Sequence, residues 1–384
     1  MIPPWAVRPR YGPGSLASVL PLAAARLGIE LPAAERPAGT EERGPAPDGI
    51  VLVLADGLGE ANLEARRGHA PYLANAPRER LTVGFPSTTA ASLGSLGTGL
   101  SPGQTGLAGY SVRDPATGRR ASLIKWDMPT APEVWQPHWT LFQQLEAVGR
   151  PAVFVGEKRF KGSAMTRSSF RGARFQADGG STRARVAAAL AQARGAADAV
   201  PPPALVYVYW GELDKVGHAK GWEGPQWARA LEVLDAALAE LAASLPGGWE
   251  LWLTADHGMV DRTGAPSWEV WDHPALAQDV ALVAGEPRAL HVYTDNAQAV
   301  ADRWRAFLGD QAWVATKEEA TAAGLFGPVD RRVEPYLGDV VVAMAGRGVI
   351  LDTPHHGAGT AAMVGHHGSL TAQEMEVPFM RVRV

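Results

Sequence analysis

The sequence predicts an α/β protein in which helices cover both faces of a mostly parallel central sheet. Short apolar runs of strand length alternate along the chain with longer segments of helical character, which is the pattern of a parallel sheet. Carboxylate side chains follow three of these runs, at Asp56, Asp214 and Asp256. Open α/β sheets build their sites in this position, beyond the carboxyl ends of buried strands. The pattern changes after Asp256, which indicates a small inserted α+β module.

The elements of the core follow from the apolar runs and from the turn residues between them. A short apolar helix at 16–27 leads into a polar loop at 34–49 that is rich in proline and glycine. The remaining predicted elements are a strand at 50–55, a helix at 59–67, an extended segment at 81–86 that runs into a helix from Thr89, a helix at 139–148, a strand at 151–155, a helix at 181–197, a strand at 204–210, a helix at 225–244 and a strand at 250–255.

The inserted module is predicted at residues 286–345. Its elements are strands at 291–294, 312–315 and 339–344, with helices at 296–308 and 317–323. Because a candidate ligand, His367, follows this module, we expect the chain to return to the same site after it. The core would then comprise residues 1–285 and 346–384, and the module would form a cap over the pocket.

The bulk properties exclude several kinds of site and partner. The 384 residues carry a net charge of −4 and have a pI of about 6.2, so no basic field attracts polymeric nucleic acid or an anionic membrane. The chain has no cysteine, which excludes disulfides and thiolate metal sites. The N-terminal residues include prolines and arginines where a signal peptide is apolar, and no stretch reaches the ~20 apolar residues of a membrane span. A cytoplasmic location is therefore expected.

Candidate metal ligands occur in five short stretches. Asp214 and His218 are four residues apart, which places both on one face of a helical turn. His366 and His367 are adjacent, and either imidazole could be a ligand. Carboxylate and imidazole together suit Zn, Mn or Fe. The candidates are Asp56, Thr89, Asp214, His218, Asp256, His257 and His367.

The segment that leads into the helix from Thr89 is a candidate site for a phosphoryl group. Pro86 ends an extended stretch, and the Ser and Thr residues after it favour a helix start. A helix N-terminus offers free N–H groups to an anion. A metal-bound Thr hydroxyl loses its proton more easily and can act as a nucleophile. Taken alone, this segment is more simply an ordinary helix cap.

Five motifs occur in order between residues 50 and 370, and together they are specific. This ordered set resembles the alkaline phosphatase superfamily, and within it most closely the nucleotide pyrophosphatase/phosphodiesterase (type I phosphodiesterase) branch. The motifs are Asp56-Gly57, Phe85-Pro86-Ser87-Thr88-Thr89, Asp214-Lys215-Val216-Gly217-His218, Thr254-Ala255-Asp256-His257-Gly258-Met259 and His367-Gly368.

The resemblance implies a site for two divalent ions, usually zinc, and a small phosphate ester or nucleotide-like substrate. One ion would be held by Asp214, His218 and His367. The other would be held by Asp56, Asp256, His257 and the Thr89 oxygen. Thr89 would attack phosphorus and form a phospho-threonine intermediate.

One departure from the branch leaves the substrate open. Ser92 stands where the branch usually has an Asn that binds a phosphate oxygen, so either Ser92 or the backbone N–H of Ala90 would take that role. A phosphonate hydrolase and a phosphomonoesterase therefore remain alternatives. A sulfatase is the weakest, because it needs a formylglycine motif. A non-hydrolytic phosphoryl transferase or a degenerate binding protein is an alternative of another class, although the complete ligand set argues against degeneracy.

Overall fold

The computed structural model describes residues 2–33, 44–195 and 204–384, apart from the side chains of His356 and Ala358. Most of the loop predicted at 34–49, and the end of the helix predicted at 181–197, lie outside these residues. The described strands are β1 (Gly49–Ala55), β2 (Arg78–Thr82), β3 (Ser111–Arg113), β4 (Arg120–Ser122), β5 (Ala152–Gly156), β6 (Arg174–Ala177), β7 (Leu205–Trp210), β8 (Trp249–Thr254), β9 (Val260–Asp261), β10 (Ser267–Glu269), β11 (Leu282–Glu286), β12 (Ala289–Tyr293), β13 (Ala312–Thr316), β14 (Val340–Met344), β15 (Val349–Leu351), β16 (Gly365–His366) and β17 (Glu376–Arg383).

The helices surround the main sheet and pack on the second one. Within the described ranges, six short 3-10 turns accompany them. The described α-helices are α1 (Val19–Arg26), α2 (Glu60–Ala65), α3 (Pro71–Asn75), α4 (Thr89–Thr98), α5 (Pro102–Thr105), α6 (Pro132–Trp135), α7 (Leu141–Ala147), α8 (Ala164–Ser169), α9 (Thr182–Ala193), α10 (Glu212–Lys220), α11 (Pro225–Ser244), α12 (Pro274–Ala277), α13 (Ala297–Leu308), α14 (Lys317–Ala322), α15 (Thr353–His356), α16 (Ala358–Ala361) and α17 (Ala372–Met375).

The main sheet has seven strands in the order β2-β17-β8-β1-β7-β5-β6. Strand β1 pairs in parallel with both β7 and β8, and β5 pairs in parallel with β6 and β7. Every residue of β1 is buried, as expected for a central strand covered on both faces. The predicted mostly parallel sheet is therefore confirmed. Strand β17, which the apolar pattern did not reveal, joins the sheet antiparallel to β2 and β8.

Two groups of helices cover this sheet. Helices α1, α4 and α7 contact one another, and α3 and α9 pack separately against α11. Helix α11 shows why such a segment is helical, because its buried Leu231, Leu234, Leu238 and Leu241 recur at intervals of three and four residues. Their burial leaves the polar face of the helix in solvent.

A second sheet of four strands has the order β11-β12-β14-β13, and all its pairings are antiparallel. Helices α13 and α14 contact it. It has its own apolar core, in which Val292 and Trp304 are fully buried. Strand β11 was not apparent from the sequence, and its last residue, Glu286, is buried.

Candidate metal centre

Three carboxylates meet because the strands that precede them are neighbours. Strand β1 lies between β8 and β7, so Asp56, Asp214 and Asp256 come together at the carboxyl edge of the sheet. The backbone N–H of Gly57 donates to Asp256 Oδ1 at 3.1 Å. Gly57 has φ +80°, and a Cβ there would lie 2.9 Å from the Asp214 Cα. A glycine is thus required for the close approach of these two segments.

The first group of potential ligands, the Asp214 cluster, consists of Asp214, His218 and His367. The Nε2 of His218 lies 3.2 Å from Asp214 Oδ1 and 3.3 Å from the Nε2 of His367. The Nδ1 atoms of the two imidazoles lie 2.8 Å from the Gly365 carbonyl and 3.0 Å from the Ser87 carbonyl, respectively. These backbone contacts orient both Nε2 atoms toward the same point, as in metal-binding histidines.

The second group, the Asp56 cluster, consists of Asp56, Asp256, His257 and Thr89. The Nε2 of His257 lies 3.3 Å from Asp56 Oδ1, 3.6 Å from Asp256 Oδ2 and 3.2 Å from Thr89 Oγ1. The rings of His257 and His367 stack with centroids 3.6 Å apart, so the two clusters are adjacent. The structure therefore brings together all seven residues that the sequence analysis assigned as candidate ligands.

The carboxylates are left with unused acceptor atoms. Asp56 Oδ1, Asp214 Oδ1 and Asp256 Oδ2 are buried and have no hydrogen-bond partner among the described residues. Burial of charged oxygens without partners is costly. One oxygen from each carboxylate, next to imidazole nitrogens, is a donor set that fits divalent cations, zinc among them.

The pKa values within the site reflect this crowding. Burial, together with the negative charges of Asp256 and Asp214, raises the pKa of Asp56 well above its usual value. Burial lowers the pKa of His218, but Asp214 outweighs burial and raises it to about 9. Burial and the neighbouring His257 lower the pKa of His367 well below its usual range. Divalent cations placed among the carboxylates would relieve their mutual repulsion.

The hydroxyl groups at the start of α4 have different partners. Thr88 is the N-cap, and Thr89 is the first residue of the helix. Ser87 Oγ donates to the Ser369 carbonyl at 2.7 Å, and Ser92 Oγ donates to the Asp256 carbonyl at 2.6 Å. Thr89 is the member of this set whose hydroxyl contacts a ligand side chain, His257. The backbone N–H of the next residue, Ala90, lies in the first helical turn, where such groups have no partner within the helix.

His366 and His367 point to different surroundings. His366 belongs to β16, which pairs with β9, and its Nε2 lies 3.3 Å from the Met363 carbonyl. Burial, followed by the charge of His218, lowers the pKa of His366 to about 3. His367 lies in the Asp214 cluster. The adjacent sequence positions thus occupy distinct places beside the site.

An apolar cavity of about 290 Å³ opens beside Thr89, and most of the residues that line it belong to no sequence motif. Tyr209 and Phe160 line it, and their rings meet edge to face with centroids 5.4 Å apart. The Tyr209 hydroxyl also donates to Asp56 Oδ2. The position of Tyr209, on a strand just before Asp214, was the signal that could have revealed it. Trp135 is not part of this lining and is buried beside Trp126 and Tyr336.

The fold and the site together define a metal-dependent hydrolase of phosphoric esters. The family model of type I phosphodiesterase/nucleotide pyrophosphatase matches residues 50–370. The chain belongs to this family, which confirms the resemblance seen in the motifs. No curated protein sequence matches the chain.

Solved structures with a similar fold include members of two kinds of protein. The inactive variant of murine ectonucleotide pyrophosphatase/phosphodiesterase 5 in complex with AMP has a TM-score of 0.69 at 18% identity, and the match covers 86% of this chain and 87% of that one. Phosphonoacetate hydrolase from Sinorhizobium meliloti in complex with phosphonoformate has a TM-score of 0.67 at 22% identity, covering 88% of this chain and 91% of that one. At these identities the similarity establishes the shared fold. Among the described residues, none of the helices has the length and apolar character needed to cross a membrane.

Proposed function

We propose that the protein is a two-metal phosphodiesterase or nucleotide pyrophosphatase that forms a phospho-threonine intermediate at Thr89. The observation that carries this proposal is the position of the Thr89 hydroxyl. It stands at the N-terminus of α4, 3.2 Å from His257 Nε2, beside both ligand clusters. A hydroxyl in that position meets a phosphoryl group where helix N–H groups also favour an anion.

The residues of the two clusters would hold the two ions, with zinc as the proposed metal. Asp214, His218 and His367 would bind one ion, and the Asp56 cluster would bind the other. When bound, two such ions stabilise the charge on the attacking and leaving oxygens of an in-line displacement. The unpartnered carboxylate oxygens support this assignment.

Three groups of the protein would have separate roles in the reaction. Thr89 Oγ1 loses its proton to solvent and forms a bond to phosphorus while the bond from phosphorus to the leaving oxygen breaks. The leaving oxygen takes up a proton from solvent, and water later cleaves the phospho-threonine. The Ala90 backbone N–H would donate to a phosphate oxygen. Ser92, whose hydroxyl is bonded to the Asp256 carbonyl, would act on the phosphate indirectly by fixing the segment that carries Asp256 and His257.

The apolar cavity supports a diester with one aromatic or nucleoside-like substituent. Its lining is largely apolar, and its one arginine, Arg159, is paired with Glu157 at 2.9 Å and lies over the Phe160 ring. A small phosphonate with a carboxylate, such as the ligand of the S. meliloti enzyme, would leave this cavity unfilled. Residues 286–345 would form a cap, since Glu286 at the end of β11 lines a second cavity together with His218 and His367.

A substrate panel with metal-loaded protein tests this function. The substrates are bis(p-nitrophenyl) phosphate, the p-nitrophenyl ester of thymidine 5′-monophosphate, p-nitrophenyl phosphate and phosphonoacetate. We expect the nucleotide ester to have the highest kcat/KM, because its nucleoside fills more of the cavity beside Thr89 than a p-nitrophenyl group does. Faster turnover of the monoester or of phosphonoacetate would contradict the proposal. If the reaction proceeded only when an alcohol was added as the phosphoryl acceptor, the protein would be a transferase instead.

Phe160→Ala is the variant that links substrate choice to the cavity. It should lower kcat/KM for the nucleotide ester by on the order of 10-fold, because stacking on an aromatic side chain contributes ~1–3 kcal/mol per base. Phe307→Ala removes an exposed phenylalanine from the second sheet module and serves as the matched control. If the two substitutions lowered kcat/KM equally, the cavity would not determine the substrate preference.

A further inference from the structure

Tyr209 lies where the apolar cavity meets the Asp56 cluster. Strand β7 pairs with β1 so that Tyr209 stands opposite Leu54, two residues before Asp56. The backbone pairing continues past the end of β1, because the Asp56 N–H donates to the Trp210 carbonyl at 2.9 Å. The two strands therefore hold a phenol and a candidate metal ligand at neighbouring positions.

The hydroxyl of Tyr209 occupies one oxygen of the Asp56 carboxylate. It donates to Asp56 Oδ2, since a phenol keeps its proton at neutral pH. The other oxygen, Oδ1, has no hydrogen-bond partner among the described residues and lies 3.3 Å from His257 Nε2. The hydrogen bond thus sets the orientation of the carboxylate and leaves Oδ1 free for an ion.

The second carboxylate of the Asp56 cluster is held in the same way by a different kind of group. Asp256 Oδ1 accepts the backbone N–H of Gly57 at 3.1 Å, while its Oδ2 is buried without a partner among the described residues. Each carboxylate therefore has one oxygen held by the protein and one left beside His257. For Asp56 the donor is a side chain, which a substitution can remove.

The ring of Tyr209 has a separate role, because it forms part of the wall of the cavity beside Thr89. Gly211 gives this ring its room. A Cβ at Gly211 would lie 3.0 Å from Tyr209 Cε1 and 3.4 Å from its hydroxyl oxygen. The local sequence therefore allows one side chain to reach both the cavity and the carboxylate.

We propose that Tyr209 is a positioning residue that links the two parts of the site: its hydroxyl orients Asp56 for the metal ion, and its ring contacts the substituent in the cavity. The inference rests on the proposed function. Groups that hydrogen-bond to metal ligands fix the ligand orientation, and their loss typically lowers metal affinity by about 10–100-fold. We therefore expect the hydroxyl to act on the metal and the ring to act on the substrate.

Tyr207 provides a matched control on the same strand. It lies two residues before Tyr209 and is fully buried, and its ring packs against Phe154 and Phe170. Its hydroxyl has no hydrogen-bond partner among the described residues. Removal of this oxygen leaves no other group without a partner, so it should be nearly neutral.

The test compares Tyr209→Phe with Tyr207→Phe, since each keeps the ring and removes only a hydroxyl. Zinc binding to chelator-stripped protein is measured by calorimetry. We expect Tyr209→Phe to bind one of the two zinc equivalents at least about 10-fold more weakly. Tyr207→Phe should bind both as the wild-type protein does.

Kinetics with the p-nitrophenyl ester of thymidine 5′-monophosphate separate positioning from a merely structural role. At limiting zinc, Tyr209→Phe should lose kcat by about the factor that zinc affinity loses, and excess zinc should restore it. Its KM should stay close to that of the wild-type protein, because the ring remains in the cavity. Phe160→Ala should show the opposite pattern, with a higher KM and unchanged zinc affinity.

Unchanged zinc affinity in Tyr209→Phe, or an equal loss in Tyr207→Phe, would overturn the inference. A loss of kcat in Tyr209→Phe that excess zinc did not restore would also contradict it. Absence of diester turnover in the zinc-loaded wild-type protein would contradict the proposed function instead, while calorimetry would still decide the role of the Tyr209 hydroxyl.

Discussion

Substitution of the hydroxyl residues at the start of α4 should separate the nucleophile from its neighbours. Thr89→Ala removes the hydroxyl that lies 3.2 Å from His257 Nε2. We expect turnover of bis(p-nitrophenyl) phosphate to fall by at least ~10³-fold, which is about 4 kcal/mol in activation free energy. Thr89→Ser keeps the hydroxyl and loses only a methyl group, so it should retain a measurable part of the rate.

The neighbouring hydroxyls should affect stability more than rate. Ser87 and Ser92 each donate to a backbone carbonyl, of Ser369 and Asp256 respectively. Loss of one such hydrogen bond costs about 1 kcal/mol of unfolding free energy. Ser92→Ala should also reduce turnover several-fold, because its partner carbonyl belongs to a ligand residue.

The series has a matched control at the other end of the same helix. Thr98 donates to the Gly94 carbonyl at 2.7 Å and is buried, so Thr98→Ala removes a buried hydroxyl away from the ligand clusters. Each variant is assayed for steady-state turnover, metal content and urea unfolding, and acid-quenched samples are examined by intact mass for a covalent adduct. Near wild-type activity of Thr89→Ala, with loss of activity in Thr88→Ala, would refute the assignment of the nucleophile.

Three further predictions concern the metals, the paired histidines and Glu286. Protein purified without chelator should carry about two equivalents of divalent metal, mainly zinc, and chelation should abolish turnover and lower the Tm until metal is restored; full activity without metal would contradict the scheme. His367→Ala should lose one equivalent of metal and nearly all turnover, whereas His366→Ala should keep both metals; metal analysis of the two variants would show the reverse if the motif were shifted by one residue. Because burial raises the pKa of Glu286 from 4.5 to about 8, ionising it costs stability, so chelated wild-type protein should lose unfolding free energy as pH rises through this window. The loss of unfolding free energy should be smaller in Glu286→Gln. If the unfolding free energies of the two proteins, measured with urea, fell equally as pH rises, this prediction would be wrong.

The main sheet could be predicted because its central strands are continuous apolar runs in the sequence. The buried runs at Ile50 and Leu205 are uniformly apolar, and each becomes a strand within one residue of the predicted start. Helix α11 has the bounds expected from its periodicity. Strand β17 was missed because it lies at the end of the chain, where Arg381 and Arg383 interrupt its apolar positions. Its place beside β8 depends on pairing over long sequence separation, which periodicity does not encode.

Most of the candidate ligands could be proposed from sequence because they follow a strand or begin a helix, and His218 because it lies four residues after Asp214. What the sequence could not give was the partner of each side chain. Ser92 illustrates this limit. Its position suggested a contact with phosphate, whereas its hydroxyl is bonded to the Asp256 carbonyl. Glu286 carries no motif, and it is brought to the site by the packing of the second sheet.

A buried ion pair connects the second sheet to the segment that follows His367. A segment distant in sequence can therefore affect the geometry of the site. Arg288, just after β11, pairs with Glu374 at 2.7 Å, and both side chains are fully buried. Glu374 in turn accepts the N–H of Ser369 at 3.0 Å, two residues after His367. Breaking a buried pair on one side leaves an uncompensated charge and costs ~3–5 kcal/mol. The segments that carry His367 and Glu286 are therefore joined through this ion pair, so the Asp214 cluster and the end of β11 depend on one junction between the two sheets.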